Sequence, residues 1–280
     1  VSAVLVIGGT GTTGSRVAAM LRSRDATVRI ATRKPSAPDH VLFDWAEPAT
    51  HGPALADVSG IYLVAPIGVA EPVPIVEPFL QKAVSMGVRR AVLLSSSAVS
   101  DDSGLGALHK TVRTTMPEWT VLRPSWFMQN FLGDHMHAGS IRDHGEIVTA
   151  TGDGRVPFID PADIAAVATH ALLDPSPHNT EHVLTGPEAL TYTEAAAIIS
   201  EVTGQPVRHR SVTAEELTTR LVTTGIPAPF AAVLADLDES IRHGSENRVT
   251  TTVADITGRP ANSLKDFIAA NRKLASAVGQ

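Results

Sequence analysis

Cysteine is absent from the 280 residues, so disulfides, thiolate metal sites and a cysteine nucleophile are all excluded. Aromatic residues are scarce, at 4%, and there are only two tyrosines, Tyr62 and Tyr192. No apolar run approaches the roughly 18 residues that a membrane-spanning helix needs. No cluster of Lys or Arg forms a basic face, and the formal charge is −6, so no nucleic-acid partner is expected. Val1–Ile7 lacks the basic region and cleavage site of a signal peptide. A cytoplasmic protein with no membrane partner is the expectation. Hydrophobic residues make up 43% and charged residues 19%, the composition of an ordinary globular enzyme with a large core.

Through the first 125 residues the pattern alternates between two periods. β-Branched, nearly continuous apolar runs at Ala3–Ile7, Thr27–Ala31, Ile61–Val64, Ala91–Leu94 and Trp119–Leu122 suit strands buried on both faces of a parallel sheet. Helical stripes lie between them: Val17, Met20 and Leu21; Ile75, Phe79, Leu80 and Val84; Leu105, Leu108 and Val112. Repeated strand, helix and strand imply an α/β fold, a Rossmann-type doubly wound parallel sheet. Residues 1–125 are read as the dinucleotide-binding core. Residues 126–280 are read as a smaller, mostly helical substrate region interleaved with that core. Its helices are expected at Ala162–Leu173, Thr193–Val202, Ala214–Thr223, Phe230–Arg242 and Leu264–Asn271, with a short strand at His182–Leu184. The helices from Ala214 to Arg242 suit a lid or a dimer surface, and a monomer or homodimer is expected.

The strongest local signal is Gly8-Gly9-Thr10-Gly11-Thr12-Thr13-Gly14, directly after a buried strand and directly before an amphipathic helix. Gly8 permits the sharp turn, Gly11 lets the backbone approach a pyrophosphate, and Gly14 lets the helix pack closely on the sheet. Free amides at the helix start, aided by its dipole, donate hydrogen bonds to the phosphates. No Gly-Lys-Ser/Thr follows, so this is not a nucleotide triphosphate loop. About 20 residues on, an NAD site places a carboxylate for the ribose 2′-hydroxyl. Thr32-Arg33-Lys34 stands there instead, and a guanidinium binds a 2′-phosphate where a carboxylate repels it. NADP(H) is the expected cofactor.

These motifs, with Ala31-Thr32-Arg33, Phe43-Asp44-Trp45, Leu63-Val64-Ala65-Pro66, Leu93-Leu94-Ser95-Ser96-Ser97 and the stretch from Leu122 to Phe131, resemble the NmrA-like, atypical branch of the short-chain dehydrogenase/reductase superfamily. Gly154-Arg155-Val156-Pro157-Phe158-Ile159, Asp163-Ile164-Ala165, Leu184-Thr185-Gly186-Pro187-Glu188 and Leu190-Thr191-Tyr192 are similar to the ergot-alkaloid reductase group, the agroclavine and festuclavine dehydrogenases, and its bacterial relatives. The resemblance implies that Gly8, Thr10, Gly11, Thr12, Thr13 and Gly14 surround the pyrophosphate, and that Arg33 and Lys34 take the 2′-phosphate. It implies Asp44 and Trp45 beside the adenine, and Val64, Ala65 and Pro66 under the riboses. Ser95 and Ser96 would lie near the nicotinamide ribose, and Pro124 and Ser125 would meet the nicotinamide end. Trp126, Phe127, Met128 and Asn130 would begin the substrate wall.

The superfamily's Tyr-x-x-x-Lys acid is missing. Tyr62 begins a buried strand, with Pro66 four residues on, and Tyr192 belongs to a late helix start. The helix that should bear the motif reads Ala107-Leu108-His109-Lys110-Thr111-Val112-Arg113, which leaves His109, and on the strand end Ser96, as catalytic candidates. Reduction of an iminium gives a neutral amine without an acid, and a quinone or enone spreads its charge. The expected function is therefore NADPH-dependent hydride transfer to a small hydrophobic, polycyclic metabolite (an iminium or imine, a quinone or a ketone). The alternative is a non-catalytic NADP(H)-sensing regulator of NmrA type. His135, His137 and His144 are read as lying in a polar loop, without a metal, and Asp160-Pro161 as a helix start rather than half of a carboxylate pair.

Overall fold

In the computed structural model residues 2–272 are described, in two compact units. The chain runs β1 (Ala3–Ile7), α1 (Thr12–Arg22), β2 (Val28–Thr32), β3 (His40–Leu42), α2 (His51–Leu55), β4 (Val58–Val64), α3 (Val73–Ser85), β5 (Arg90–Leu94), α4 (Gly104–Thr115) and β6 (Glu118–Pro124). It continues with α5 (Met136–His144), β7 (Glu146–Thr149), β8 (Arg155–Val156), α6 (Pro161–Leu173), β9 (Thr180–Leu184), β10 (Leu190–Thr191), α7 (Tyr192–Thr203) and β11 (Arg208–Ser211). Last come α8 (Ala214–Thr223), α9 (Ala228–Arg242), α10 (Thr252–Thr257) and α11 (Leu264–Ala270). Among the described residues no helix is long and apolar enough to cross a membrane.

The first unit holds residues 2–124, 161–184 and 255–258. Its seven-stranded sheet has the order β3-β2-β1-β4-β5-β6-β9, and every pairing is parallel. Strand order reverses at β1, whose neighbours are β2 on one side and β4 on the other, so the switch point lies at the carboxyl ends of β1 and β4. All five residues of β1 are buried, as a strand covered on both faces requires. On one face Leu5, Ile61, Leu63, Leu93 and Val121 pack with Phe79 and Leu80 of α3 and Leu108 and Val112 of α4. On the other, α6 lies close enough that Leu172 would touch a Cβ added at Gly60. Arg90 ends α6 by donating to the carbonyls of Ala171, Leu172 and Asp174, at 3.4, 3.1 and 2.7 Å.

Two sequence expectations change here. Tyr62 sits in the middle of β4 rather than at its start, because the strand opens four residues earlier at Val58. The buried stripe of α3 is Val76, Phe79, Leu80 and Ala83, which leaves Ile75 and Val84 at its edges.

The second unit holds residues 125–160, 185–254 and 259–272. Its helices α7, α8, α9 and α11 match the expected segments, with α7 packed on α11 and α8 on α9. It also contains two small sheets that the sequence did not announce. β11 pairs with β7 in parallel, and β10 with β8 antiparallel. β11 reads Arg-His-Arg-Ser, with no apolar alternation, and is held instead by Glu146 of β7, which accepts from Arg208 at 2.6 Å. The histidine stretch is corrected as well. His137 and His144 lie on α5, and the ring of His135 caps that helix by accepting from the His137 amide. Gly139 and the polar composition of α5 hide the helix from a periodicity reading.

Candidate functional site: the carboxyl edge of the parallel sheet

Because the seven strands are parallel, their carboxyl ends share one edge, and ligands of open α/β sheets bind outside that edge at the switch point. Gly8 follows β1 there and has a φ of +70°, the left-handed region that favours glycine. The Gly11 amide donates to the Gly8 carbonyl at 2.9 Å and closes the turn. α1 then starts without a side-chain cap and without an acid in its first turn. Thr10, Gly11 and Thr12 are exposed, and Thr13 and Gly14 are buried. An exposed, uncapped helix start presents amide donors and the positive end of the helix dipole to solvent, which is the chemistry a diphosphate requires.

After β2, Arg33 and Lys34 are both exposed. Among the described residues neither forms an ion pair, although Lys34 donates its backbone amide to Thr32 Oγ1 at 3.2 Å. The carboxylate of the same loop, Asp39, is taken by Arg22, which holds it below the usual carboxylate range. The positive field of the loop is thus left for an anion from outside the chain. Asp44 and Trp45 follow β3. Asp44 Oδ1 accepts from the Ala46 amide at 2.9 Å, and Trp45 packs edge-on against Phe43 and Phe79, with centroids 4.9 and 5.2 Å away. Val64, Ala65 and Pro66, at the end of β4, are half-buried. Ile67 follows them and is 95% exposed.

The end of β5 carries the polar chemistry. Ser95 Oγ lies 2.7 Å from Nε2 of His109, whose side chain on α4 is 1% exposed. The neighbouring Ser96 hydroxyl accepts from the Ala98 amide at 3.2 Å in a local turn, so of the two serines it is Ser95 that meets His109. Lys110, one residue further on α4, faces solvent. Burial pushes the His109 ring below the ordinary imidazole range, with the charge of Glu181 acting against it. Glu181 Oε2 stands 4.0 Å from His109 Nδ1 and 3.0 Å from Arg123, while Oε1 is 3.3 Å from Arg113.

Glu181 and Arg123 were not singled out from sequence. The available signal was a charge set inside each of two apolar strands, which the register brings into neighbouring rows: Val121 pairs with Glu181 and Arg123 with Val183. Both tyrosines are core residues. Tyr62 is 0% exposed and its buried phenol is pushed far up, while Tyr192 is 1% exposed and packs on Phe158 at 5.2 Å.

Pro124 closes β6 in the first unit, and its carbonyl accepts from the Ser97 amide at 2.9 Å. In the second unit Ser125 is 3% exposed, and its hydroxyl has no hydrogen-bond partner among the described residues. An orphaned buried hydroxyl at this point of the chain suits a ligand contact. Trp126, Phe127 and Asn130 are half-buried. Met128 is 1% exposed in the core of that unit, with Phe131 and Phe158. Met128 donates its amide to Ile159, and Ile159 donates to Trp126, each at 2.9 Å, which fixes this segment on a short bridge.

Residues 108–255 match the model of the NmrA-like family. An uncharacterized oxidoreductase, YesF, from Bacillus subtilis (strain 168) is 49% identical over 96% of this chain and 94% of its own. Agroclavine dehydrogenase of Claviceps fusiformis is 37% identical over 97% of this chain and 98% of its own. Among solved structures, the triphenylmethane reductase of Citrobacter sp. complexed with NADP(H) has a TM-score of 0.81 at 22% identity, and covers 96% of this chain and 100% of its own. That likeness bears on the fold alone. With a family match over more than half its length and full-length relatives well above 30% identity, this chain belongs to the NmrA-like family.

Proposed function

We propose that this chain transfers hydride from NADPH to a small hydrophobic, polycyclic or heteroaromatic acceptor, without a tyrosine acid, in the cytoplasm. It is an NADP(H)-dependent oxidoreductase of the atypical short-chain class. The observation that carries the reading is the uncapped glycine corner at the switch point beside an arginine and a lysine that no carboxylate of the loop neutralises.

When bound, NADPH supplies a hydride at its nicotinamide. Gly8, Thr10, Gly11, Thr12, Thr13 and Gly14 would hold the diphosphate, and Arg33 with Lys34 the 2′-phosphate. Asp44 and Trp45 would flank the adenine, and Val64, Ala65 and Pro66 the riboses. Ser95, Pro124 and Ser125 would face the nicotinamide end. Trp126, Phe127 and Asn130 would begin the wall of the acceptor site, backed by buried Met128. The chain's own contribution is to orient the pair and exclude water. A burial-depressed His109 is neutral at physiological pH and supplies no ready proton. That suits acceptors whose charge resolves without an acid: an iminium, or a quinone that spreads its charge. The similarity to an agroclavine dehydrogenase supports a ring-bearing metabolite.

The test is NADPH oxidation by the full chain against a panel of cyclic imines and iminium salts, quinones and polycyclic ketones. Turnover with at least one class, with NADPH preferred to NADH, is expected. No turnover with any acceptor, together with different affinities for the oxidised and reduced cofactor, would replace the enzyme by a redox-state sensor.

A further inference from the structure

The phenol of Tyr62 is a polar group in an apolar place. The side chain is 0% exposed in the middle of β4, and its hydroxyl has no hydrogen-bond partner among the described residues. A buried hydroxyl left unpaired costs stability, and phenylalanine would fill the same space without that cost. Its neighbours along β4 fix the face of the sheet on which it stands. Gly60, two residues earlier, faces Leu172 of α6. Val64, two residues later, has its Cγ2 3.3 Å from where a Cβ on Gly8 would lie. Strand alternation puts Tyr62 between them on that same face, which α6 covers together with α1. Its register partner on β1 is Val6, two residues before Gly8. The phenol therefore stands under the first turn of α1.

The side chain that meets it there is Thr13. Burial keeps the phenol protonated, and Thr13 is the group that acts on it against burial. Thr13 is itself buried, at the second position of α1. Its hydroxyl is not spent on its own helix. Thr111, Thr169 and Thr203 each donate to the carbonyl four residues back, at 3.0, 2.8 and 2.7 Å, whereas Thr13 makes no such bond among the described residues. A phenol has one proton to give, and a threonine hydroxyl has one to give and lone pairs to receive with. Donation from Tyr62 to Thr13 leaves the Thr13 proton to point out of the core, toward the exposed start of α1. Amides and helix dipole already favour an anion at that point.

We propose that Tyr62 is a positioning residue for the cofactor: its phenol donates to the Thr13 hydroxyl and thereby turns the Thr13 proton toward the diphosphate. This rests on the NADP(H) reading above. The donors run in one direction, from Tyr62 to Thr13 to a phosphate oxygen, and each bond polarises the next. The diphosphate is common to NADPH and NADH, so the chain of donors raises the affinity for both alike, whereas Arg33 tells them apart. One hydroxyl thus weakens the free fold and strengthens the bound one, a pair of signs that a purely structural side chain does not produce.

The experiment compares Tyr62→Phe with wild type, both as the full chain, by thermal melting without cofactor and by titration. The titrants are NADP⁺, NADPH, NADH and adenosine 2′-phosphate, which has no diphosphate. The variant is expected to melt no lower than wild type and to bind adenosine 2′-phosphate unchanged. It is expected to bind each dinucleotide about fivefold more weakly, the size of one net hydrogen bond. Thr13→Val removes the middle of the chain, and Tyr62→Phe added to it is expected to weaken NADP⁺ no further. Should Thr13→Val fail to fold, the Tyr62→Phe measurements decide alone. Unchanged NADP⁺ affinity, an equal loss for adenosine 2′-phosphate, a lower melting point or a further loss in the double variant overturns the inference and leaves the cofactor assignment standing. Failure of the wild-type chain to bind NADP⁺ overturns both.

Discussion

Gly14 stands so close to Gly8 that a Cβ on Gly14 would lie 2.2 Å from the Gly8 carbonyl oxygen and 2.7 Å from its carbon. Both neighbours are backbone, so neither can swing aside as a flexible side chain would. The first turn of α1 is thereby held against the left-handed turn that follows β1, and the exposed amides inherit their direction from this contact. Gly14→Ala is expected to destabilise the fold by about 1–3 kcal/mol, the usual cost of overpacking, and to lower Tm by several degrees. It should also weaken NADPH binding, because the turn must open to admit the methyl group. Thermal melting and a cofactor titration on the same preparation check both effects. A variant that melts and binds like wild type would show that the turn is not under this constraint.

Arg33 offers a separate test of the charge argument. Asp39 is engaged by Arg22, so removal of the Arg33 guanidinium leaves no carboxylate newly unpaired. Arg33→Ala is expected to weaken NADPH by about 1.5–3 kcal/mol, the value of a lost charged hydrogen bond, and NADH far less. Fluorescence titration with each cofactor measures the difference. Equal losses for both would reject the 2′-phosphate assignment.

The parts of the fold that could be read in advance are those where local pattern and tertiary demand agree. Ala3–Ile7 is apolar on both faces because both faces are covered, and its boundaries match the observed strand. The expected helix at Ala214–Thr223 likewise coincides with α8, where the local stripe agrees with the packing. Where stability comes from long-range pairing, the pattern is silent. β11 is polar throughout and is a strand through its pairing with β7, some 60 residues away, to which the bond from its first arginine to Glu146 adds. The same holds at the site. Gly8 to Gly14 is contiguous and legible, whereas Glu181 reaches His109 only through the pairing of β9 with β6. Ser95 and Ser96 are adjacent, and only the fold decides which of them meets the histidine.

On β9, next to Glu181, His182 Nε2 lies 2.9 Å from His178 Nδ1, and His178 Nε2 is 3.2 Å from Asp174. Burial pushes His182 down to about 4, and the neighbouring His178 reinforces the shift. In the unfolded chain the ring titrates near 6.5. Between about pH 6.5 and 4 the unfolded state therefore binds a proton that the folded state refuses, so stability falls with acidification across that window and is flat above it. The ceiling of the effect is about 3 kcal/mol. Urea midpoints at neutral pH and near pH 5 should differ, and His182→Gln should flatten the dependence. An unchanged slope in that variant would place the acid sensitivity elsewhere.

Thr191 links the two ends of a reciprocal pair at the start of α7. Its hydroxyl accepts from the Glu194 amide at 3.1 Å, and Glu194 Oε2 accepts from the Thr191 amide at 2.8 Å. Glu194 is also fixed from outside, since Arg155 reaches its two oxygens at 3.0 Å each. The hydroxyl thus satisfies one orphan amide of the helix, and the carboxylate satisfies the other. Thr191→Ala is expected to cost about 1 kcal/mol, a fall of roughly 2–4 °C in Tm, while Thr191→Ser keeps the oxygen and most of the stability. The distinction lies in the comparison: equal losses in both variants would assign the effect to the methyl group, which packs but does not cap. Because Arg155 holds Glu194 independently, the carboxylate should stay in place when the hydroxyl goes. The loss in Thr191→Ala/Arg155→Ala should therefore exceed the sum of the single changes, since only that variant frees the carboxylate from both the hydroxyl and the guanidinium, and thermal melts of the four proteins in the cycle measure that coupling.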